Sequence, residues 1–584
     1  MRTTATGAQY RPFNRSLTFS DADGFGSGAG FAWGGALYTG LLGVLLTQKI
    51  GWWAGIHPGG WSLAAGALAA GLATMMHMMT RDAAMSRKLS GLWLVGALLA
   101  GAIFFMFQGK HDPSWDGPAY HAPAVVHMLQ GWNPVYGETG LWIIDQYPNG
   151  AWAIRAALVG VAGGDLAAGR MLTVLAAMGL FAMTAEFAAA TLRARRTAAV
   201  AVALLVVLNP VVISQVWTDY VDGLLGIYAL SYLLALMAMR GARPRWALAT
   251  AAALAVLTAT TKAAGLYYIF VITFLMLLWH VWHGLGRRNG LRETLMRFTV
   301  LTAAVVLLLV ITAWRPYATN LQDYGSLIYP PVDKILGDQR PSNLHDAGPG
   351  TRAVYLFFSE GRSGRGQGDP LSLRPFDISR SAIKSSIHDA RSGGFGPFFG
   401  LQAVLAAGLV LWAAASGRIR DGRVYYAAIV CLAATAAFPE SWWARFVPLA
   451  WAATILLAAP MLAGFNSSGR IQRGVAAVFV VLALLNVMPF AHVGWERMQT
   501  RTHAFTALAG ELENEPGVAL KGCKDNFFHV SYGYMLAQAG ITVVTGAQCT
   551  GDVLHTGYYG LLTVCRVNHV NGAGTPGQSS SSSP

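Results

Sequence analysis

Gly91-Leu92-Trp93-Leu94-Val95-Gly96-Ala97-Leu98-Leu99-Ala100-Gly101-Ala102-Ile103-Phe104-Phe105-Met106-Phe107-Gln108 runs without a charge and stops against Gly109-Lys110-His111-Asp112-Pro113-Ser114-Trp115-Asp116-Gly117-Pro118-Ala119-Tyr120-His121. An uncharged run of this length is a membrane-crossing helix. The segment after it packs two carboxylates, two histidines and two aromatics into residues 111–121. Pro118 suits the first turn of a helix, where its missing N–H costs nothing. Asp116 or Gly117 is then the N-cap, and Tyr120 and His121 follow about one turn later on a neighbouring face. A carboxylate at a helix N-terminus is held ionised by the dipole and is placed to take a proton from a hydroxyl. Spacing alone favours the plainer role, in which Asp116 only caps the helix.

Outward from this stretch the chain is apolar throughout. Of 584 residues, 54% are hydrophobic and 12% charged, against roughly 25% charged in soluble domains, and mean hydropathy is +0.43. The expected fold class is an all-α polytopic membrane protein. Thirteen transmembrane helices are expected near 31–50, 60–79, 91–108, 168–190, 197–214, 221–239, 246–263, 265–283, 298–315, 397–416, 424–438, 446–464 and 473–491. The net charge of +14 does not signal nucleic acid, because no continuous basic face exists. Its arginines cluster in alternate short loops: Arg81, Arg87 and Lys88; Arg193, Arg195 and Arg196; Arg240, Arg243 and Arg245; Arg287, Arg288, Arg292 and Arg297; Arg418, Arg420 and Arg423; Arg470 and Arg473. By the positive-inside rule these loops and the N-terminus are cytoplasmic. Residues 1–30 form a polar tail without a cleavable apolar signal, so the first span is expected to insert uncleaved.

The same alternation places residues 109–167, the long loop 316–396 and the C-terminal region outside. Within 109–167, the stretch 151–163 is expected to be an interfacial helix. Residues 492–571 are expected to form a small extracytoplasmic α/β domain, starting with a polar helix from Ala504 to Glu515, and 572–584 a disordered serine-rich tail. Cys523, Cys549 and Cys565 fall in this region; Cys523–Cys549 is the expected bridge, with Cys565 left over, although spacing does not fix connectivity. Lys262, Arg315 and Arg445 sit at outside ends of spans. They snorkel to the interface or converge on an anionic group. Trp115, Trp132, Trp142 and Trp152 read as an interfacial aromatic belt or as stacking surfaces for sugar rings. Glu186, inside a span, must pair or snorkel.

Asp116, Tyr120, His121 and Pro123 form Asp-x-x-x-Tyr-His-x-Pro directly after a span. With it come Asn209-Pro210 running to Gln215, Thr218, Tyr220 and Asp222; Thr261-Lys262-x-x-Gly265; Trp314-Arg315-Pro316-Tyr317 with Asn320 and Tyr329-Pro330; Gly393-Gly394-Phe395-Gly396-Pro397; and Trp442-Trp443-Ala444-Arg445-Phe446-x-x-Pro448. In this order the set resembles the GT-C superfamily of polyprenyl-phosphate-sugar-dependent glycosyltransferases, which includes protein O-mannosyltransferases and lipid A aminoarabinose transferases. The resemblance covers residues 91–464, within a core of 91–491; the spans in 31–90 are an added pair.

It implies an enzyme of a bacterial inner membrane with an outside-facing site. A sugar would pass, with inversion, from a polyprenyl phosphate to a hydroxyl of a lipid, glycan or protein. Asp116 would be catalytic. Tyr120, His121, Lys262, Arg315, Tyr317 and Arg445 would hold donor and phosphate. Several relatives carry Glu where Gly117 stands, so Asp112, Asp219 or Asp222 would supply the second acid. No cofactor is required, but Asp112, Asp116 and His121, with His111, are the candidate ligands of a divalent ion such as magnesium or manganese; their spacing matches no structural zinc pattern. Two other classes fit a chain of this kind. A lipid-linked glycan flippase would carry its charges at mid-membrane, whereas here they gather at span ends. A non-catalytic subunit of an envelope polysaccharide complex would keep the fold without chemistry, and Gly117 is the residue that favours it.

Overall fold

Each of the thirteen apolar runs is helical, because a chain in hydrocarbon has only its own backbone to satisfy its N–H and C=O groups. The computed structural model describes residues 28–79, 83–192, 195–285, 288–331, 339–361, 369–375, 378–379, 383, 389–391, 393–416, 421–463, 469–522, 527–544, 552–557 and 562–567. The helices are α1 (Ala29–Trp53), α2 (Trp61–Met78), α3 (Ala83–Phe107), α4 (Ala122–Leu129), α5 (Trp142–Asp145), α6 (Gly150–Val161), α7 (Met171–Leu192), α8 (Arg196–Val207), α9 (Pro210–Gln215), α10 (Asp222–Ala238), α11 (Pro244–Thr261), α12 (Ala264–Gly284), α13 (Gly290–Ala313), α14 (Thr319–Tyr324), α15 (Pro349–Phe358), α16 (Phe399–Ala415), α17 (Gly422–Ala436), α18 (Leu449–Ala463), α19 (Arg470–Leu512) and α20 (Phe528–Gln538). Among the described residues six helical segments are long and apolar enough to cross a membrane: 29–53, 84–107, 166–192, 264–284, 290–324 and 470–512. Shorter apolar helices complete the bundle of this multi-pass membrane protein.

Three details position the site. The run 197–214 is not one helix. It breaks at Asn209, whose Oδ1 accepts Val211 N–H at 3.0 Å to cap α9 while its Nδ2 donates to Pro448 O at 2.9 Å. Proline at the next position suits that new first turn. Second, Glu186 of α7 reaches the start of α1. Its carboxylate accepts Gly28 N–H and Phe31 N–H, both at 2.8 Å. It thus caps the N-terminus of α1 from another helix, where a negative charge is favoured. Third, α6 is enclosed by the protein, with Trp152, Arg155 and Ala157 all buried, and at 12 residues it is too short to span.

The last span and the polar helix after it are one element. α19 runs for 43 residues, about 65 Å at 1.5 Å per residue, roughly twice the hydrocarbon thickness. Its protruding half carries a three-stranded antiparallel sheet, β1 (Val518–Gly522), β2 (Val553–Gly557) and β3 (Leu562–Arg566), in the order β1-β3-β2, with α20. Phe505, Leu508, Leu512, Val518, Phe528, Leu536 and Val564 form its core, and Ala119 is packed into it. The segment after α3 is pinned there: Phe527 N–H donates to Ala119 O (3.2 Å), Ser531 Oγ to Pro118 O (2.8 Å) and His111 N–H to Thr502 Oγ1 (3.1 Å).

Cys565 is itself disulfide-bonded and Cys431 is a buried free thiol. A bridge joining Cys523 to Cys549 with Cys565 left over is therefore not the one formed. Cys523 and Cys549 lie outside the described residues, as do residues 1–27 and 568–584, which include most of the expected N-terminal tail and the whole serine-rich tail. β3 brings Cys565 opposite Ala519 of β1, a pairing set by the sheet and invisible in cysteine spacing.

Candidate functional site

Residues 117–121 begin a helix with one wide π-type turn that runs on into α4, a feature frequent at functional sites. Asp116 stands at its N-cap position but makes no side-chain cap bond. The capping role is therefore not what holds this carboxylate. Instead Asp116 Oδ2 accepts from Arg445 Nη1 at 3.2 Å. The same Nη1 lies 3.0 Å from Asp389 Oδ1, and Arg445 Nε lies 3.9 Å from Asp222 Oδ2. Asp222, in the first turn of α10, receives Lys262 Nζ on Oδ1 at 2.5 Å. Three carboxylates and two cations thus share one cluster, drawn from five separate parts of the chain.

Each member is held by its own local structure. Lys262 ends α11 in an extended conformation, which turns its side chain toward Asp222 and sets Nζ 4.4 Å from the Phe446 ring centroid. Arg445 sits in the short turn 444–446 before α18. Its guanidinium lies 4.8, 5.0 and 4.9 Å from the rings of Tyr220, Trp443 and Phe446, and such cation–π contacts strengthen when desolvated. Gln215 braces the start of α10 by accepting Gly223 N–H at 2.7 Å. Nε of Arg445 is buried without a hydrogen-bond partner among the described residues, so the guanidinium has donor capacity in reserve.

An aromatic wall stands beside the carboxylate. Tyr120 and His121 are 4.3 Å apart between centroids, and Tyr147 lies 5.8 and 5.7 Å from them. Tyr147 stacks on Trp152 at 5.0 Å, so Trp152 belongs to this buried wall and not to an interfacial belt. His121 Nδ1 accepts from Trp152 Nε1 at 2.8 Å. Burial, then Arg155, Lys262 and Arg445, hold its pKa well below the usual value, so the ring is neutral. With Nδ1 used as acceptor, the proton sits on Nε2.

Burial pushes the Asp116 carboxyl above its ordinary range; Arg445 and Lys262 oppose this, and Asp389 and Asp222 reinforce it. Asp112 and Asp219 do not join this cluster through any described contact. Asp112 accepts Ser114 N–H and Asp219 N–H, each at 2.6 Å, and Asp219 pairs at 3.9 Å with Arg155. Burial and Asp219 raise the Asp112 carboxyl as well. A Cβ on Gly117 would lie 1.8 Å from Asp112 Oδ2. The Asp112 carboxylate thus occupies the space that a side chain at 117 would need. Gly117→Ala is expected to cost about 1–3 kcal/mol through overpacking and to displace Asp116 next door. Thermal unfolding together with an activity assay checks this; an alanine variant equal to wild type in both would show that Asp112 moves aside freely.

Two expected members are elsewhere. Arg315 donates to Gly137 O (3.1 Å) and pairs with Glu138, so it fastens α13 to the first long loop and does not meet Lys262 or Arg445. Tyr317 Oη donates to Ala259 O at 2.6 Å, near the end of α11, and supports Lys262 from behind. The divalent-ion set does not fit. Among the described residues no three His, Cys, Asp or Glu are grouped to hold a metal. His121 presents N–H and not a lone pair, and His111 packs against Phe505 at 4.1 Å with Nδ1 on Met535 Sδ. Asp389 and Tyr147 belong to the site but carry no sequence signature. Asp389 lies in a polar loop that Arg340 and Arg352 fasten to Glu440.

No protein-family model matches the chain, and no curated protein matches it. Two solved structures are similar. One is the apo crystal structure of ArnT from Cupriavidus metallidurans, with TM-score 0.43 and 14% identity over 79% of this chain and 86% of that one. The other is the same protein bound to undecaprenyl phosphate, with TM-score 0.43 and 14% identity over 79% and 87%.

Proposed function

We propose that the chain is a GT-C-type membrane glycosyltransferase that moves a sugar from a polyprenyl phosphate to an acceptor hydroxyl. The observation that carries this reading is the cluster itself: Asp116 bonded to Arg445 at 3.2 Å, and Lys262 two steps away on Asp222. In the proposed step the acceptor oxygen attacks the anomeric carbon, the bond to the phosphate oxygen breaks, and the hydroxyl proton passes to Asp116. Attack opposite the leaving phosphate inverts the anomeric centre. Arg445 Nε and the Lys262 ammonium receive the phosphate charge as it develops. Tyr120, Tyr147 and the neutral His121 supply a ring-stacking and hydrogen-bonding wall for the sugar.

The loop that carries Asp389 is tied to Arg445, so lipid phosphate arriving at Arg445 competes with Asp389 and gates access. Under the positive-inside reading this end of the bundle faces the periplasm of a bacterial inner membrane. Purified protein incubated with a polyprenyl-phosphate sugar and an envelope lipid extract is expected to release polyprenyl phosphate and to add one sugar mass to an acceptor. Bound but unconsumed donor would instead support the flippase or the non-catalytic subunit.

A further inference from the structure

A cavity of about 290 Å³ lies against the 112–118 turn. Asp112 and Pro118 line it, whereas Asp116, Lys262 and Arg445 do not. Its other walls come from the turn at 162–170, from Asp219 and from α20. Gly164, at φ +95°, forms part of the rim, and the Tyr534 hydroxyl sits 2.6 Å from where a Cβ would be. The rim is thus a close approach that only glycine permits.

The charges in this cavity are unevenly used. Asp112 accepts two backbone N–H groups and Asp219 faces Arg155. Asp165 accepts Gly109 N–H and Ala167 N–H, both at 3.0 Å. The carboxylates are therefore committed. Arg170 is 2% exposed, yet its Nε and Nη1 are buried without a hydrogen-bond partner among the described residues. A buried guanidinium left this way is costly unless a ligand completes it. Lys110 lines the same cavity. Arg170 offsets the Asp112 carboxylate electrostatically, but its Nε and Nη1 donors are unused among the described residues, and the Tyr534 hydroxyl at the rim adds a neutral donor.

We propose that this cavity binds a phosphoryl group through Arg170 and Lys110, at an anion site separate from the Arg445 cluster. Arginine and lysine together are the usual partners of phosphate oxygens. The phosphoryl group is either that of a lipid headgroup or free phosphate. The site shares the 112–118 turn with Asp116 through Asp112 and Pro118.

The test needs no sugar transfer. Inorganic phosphate is titrated calorimetrically into the full-length protein in detergent. Saturable binding is expected, weakened about tenfold or more in Arg170→Gln and about threefold in Lys110→Gln, on the scale of charge-assisted hydrogen bonds, and unchanged in Arg297→Gln, whose guanidinium lies on Met239 O and Glu293 away from both sites. Displacement by dihexanoyl phosphatidic acid identifies a lipid headgroup as the source, and its absence identifies free phosphate. No saturable binding overturns the proposal, as does binding lost in Lys262→Gln but retained in Arg170→Gln. If Arg170→Gln does not fold, unchanged affinity in Lys110→Gln overturns it.

Discussion

Arg445→Gln is expected to abolish sugar transfer and to destabilise the protein by about 3–5 kcal/mol, the cost of removing one partner from a buried ion pair. Arg445 is 8% exposed, and it touches Asp116, Asp389 and Asp222. Without it Asp116 and Asp222 are left with Lys262, and Asp389 with Arg391. Glutamine keeps the volume and some hydrogen bonding, so the loss isolates the charge. The pH dependence gives the sign. Arg445 opposes the effect of burial on Asp116, so losing the cation raises the folded-state pKa of that carboxyl further above the unfolded value. Stability of that kind is present below the unfolded pKa and is lost as pH rises through the folded one. The deficit against wild type should therefore be greatest near neutrality and shrink toward pH ~4, where the acids protonate. Unfolding followed by tryptophan fluorescence across pH checks this. Arg445→Lys should recover part of the stability and little of the activity, because an ammonium cannot bridge carboxylates and phosphate from a planar fork. A pH-independent deficit would mean that lost packing on Tyr220, Trp443 and Phe446 dominates.

How far this cluster could be read from sequence depends on which member is considered. Asp116, Lys262 and Arg445 stand at the ends of apolar runs, and the alternation of arginines assigns those ends to one face. Span ends are local information, written in hydropathy, so their shared face was legible. Arg315 obeys the same rule and misleads, because Glu138 meets it first. Asp389 was illegible: its loop has no period, and it is held beside Arg445 by long-range contacts, Trp443 Nε1 donating to Asp389 O and Ala444 N–H to Arg391 O.

The fold shows the same division. The apolar runs announced their helices, but not that α19 continues unbroken into the polar helix, because Pro489 and Gly494 stand where a helix is expected to stop. Nor did they announce that Glu186 would cap α1. Gly117 is the sharpest case. Read alone it is a missing acid; in the fold it is the gap that Asp112 fills.

Asp116→Asn is the substitution that separates chemistry from architecture. Asparagine is nearly isosteric and keeps an oxygen for Arg445, but it cannot accept a proton from a hydroxyl at working pH. Loss of a general base costs about 10²–10⁴-fold in rate, and a fall of that size in transfer with donor binding retained is expected. Stability should move the other way or stay level. Burial raises the Asp116 carboxyl above its ordinary value, so its ionised form is disfavoured in the fold, and the linked stability is lost as pH rises through the folded pKa. Removing the group removes that cost, while Arg445 keeps Asp389 and Asp222 as partners. At neutral pH the variant should therefore unfold no earlier than wild type. In the wild type, transfer should climb with pH through the raised pKa of Asp116 and then level off. The residual rate of the variant should lack that limb. An asparagine variant with unchanged transfer would remove Asp116 from the chemistry. A variant that loses stability along with activity would make it a structural partner of Arg445 instead.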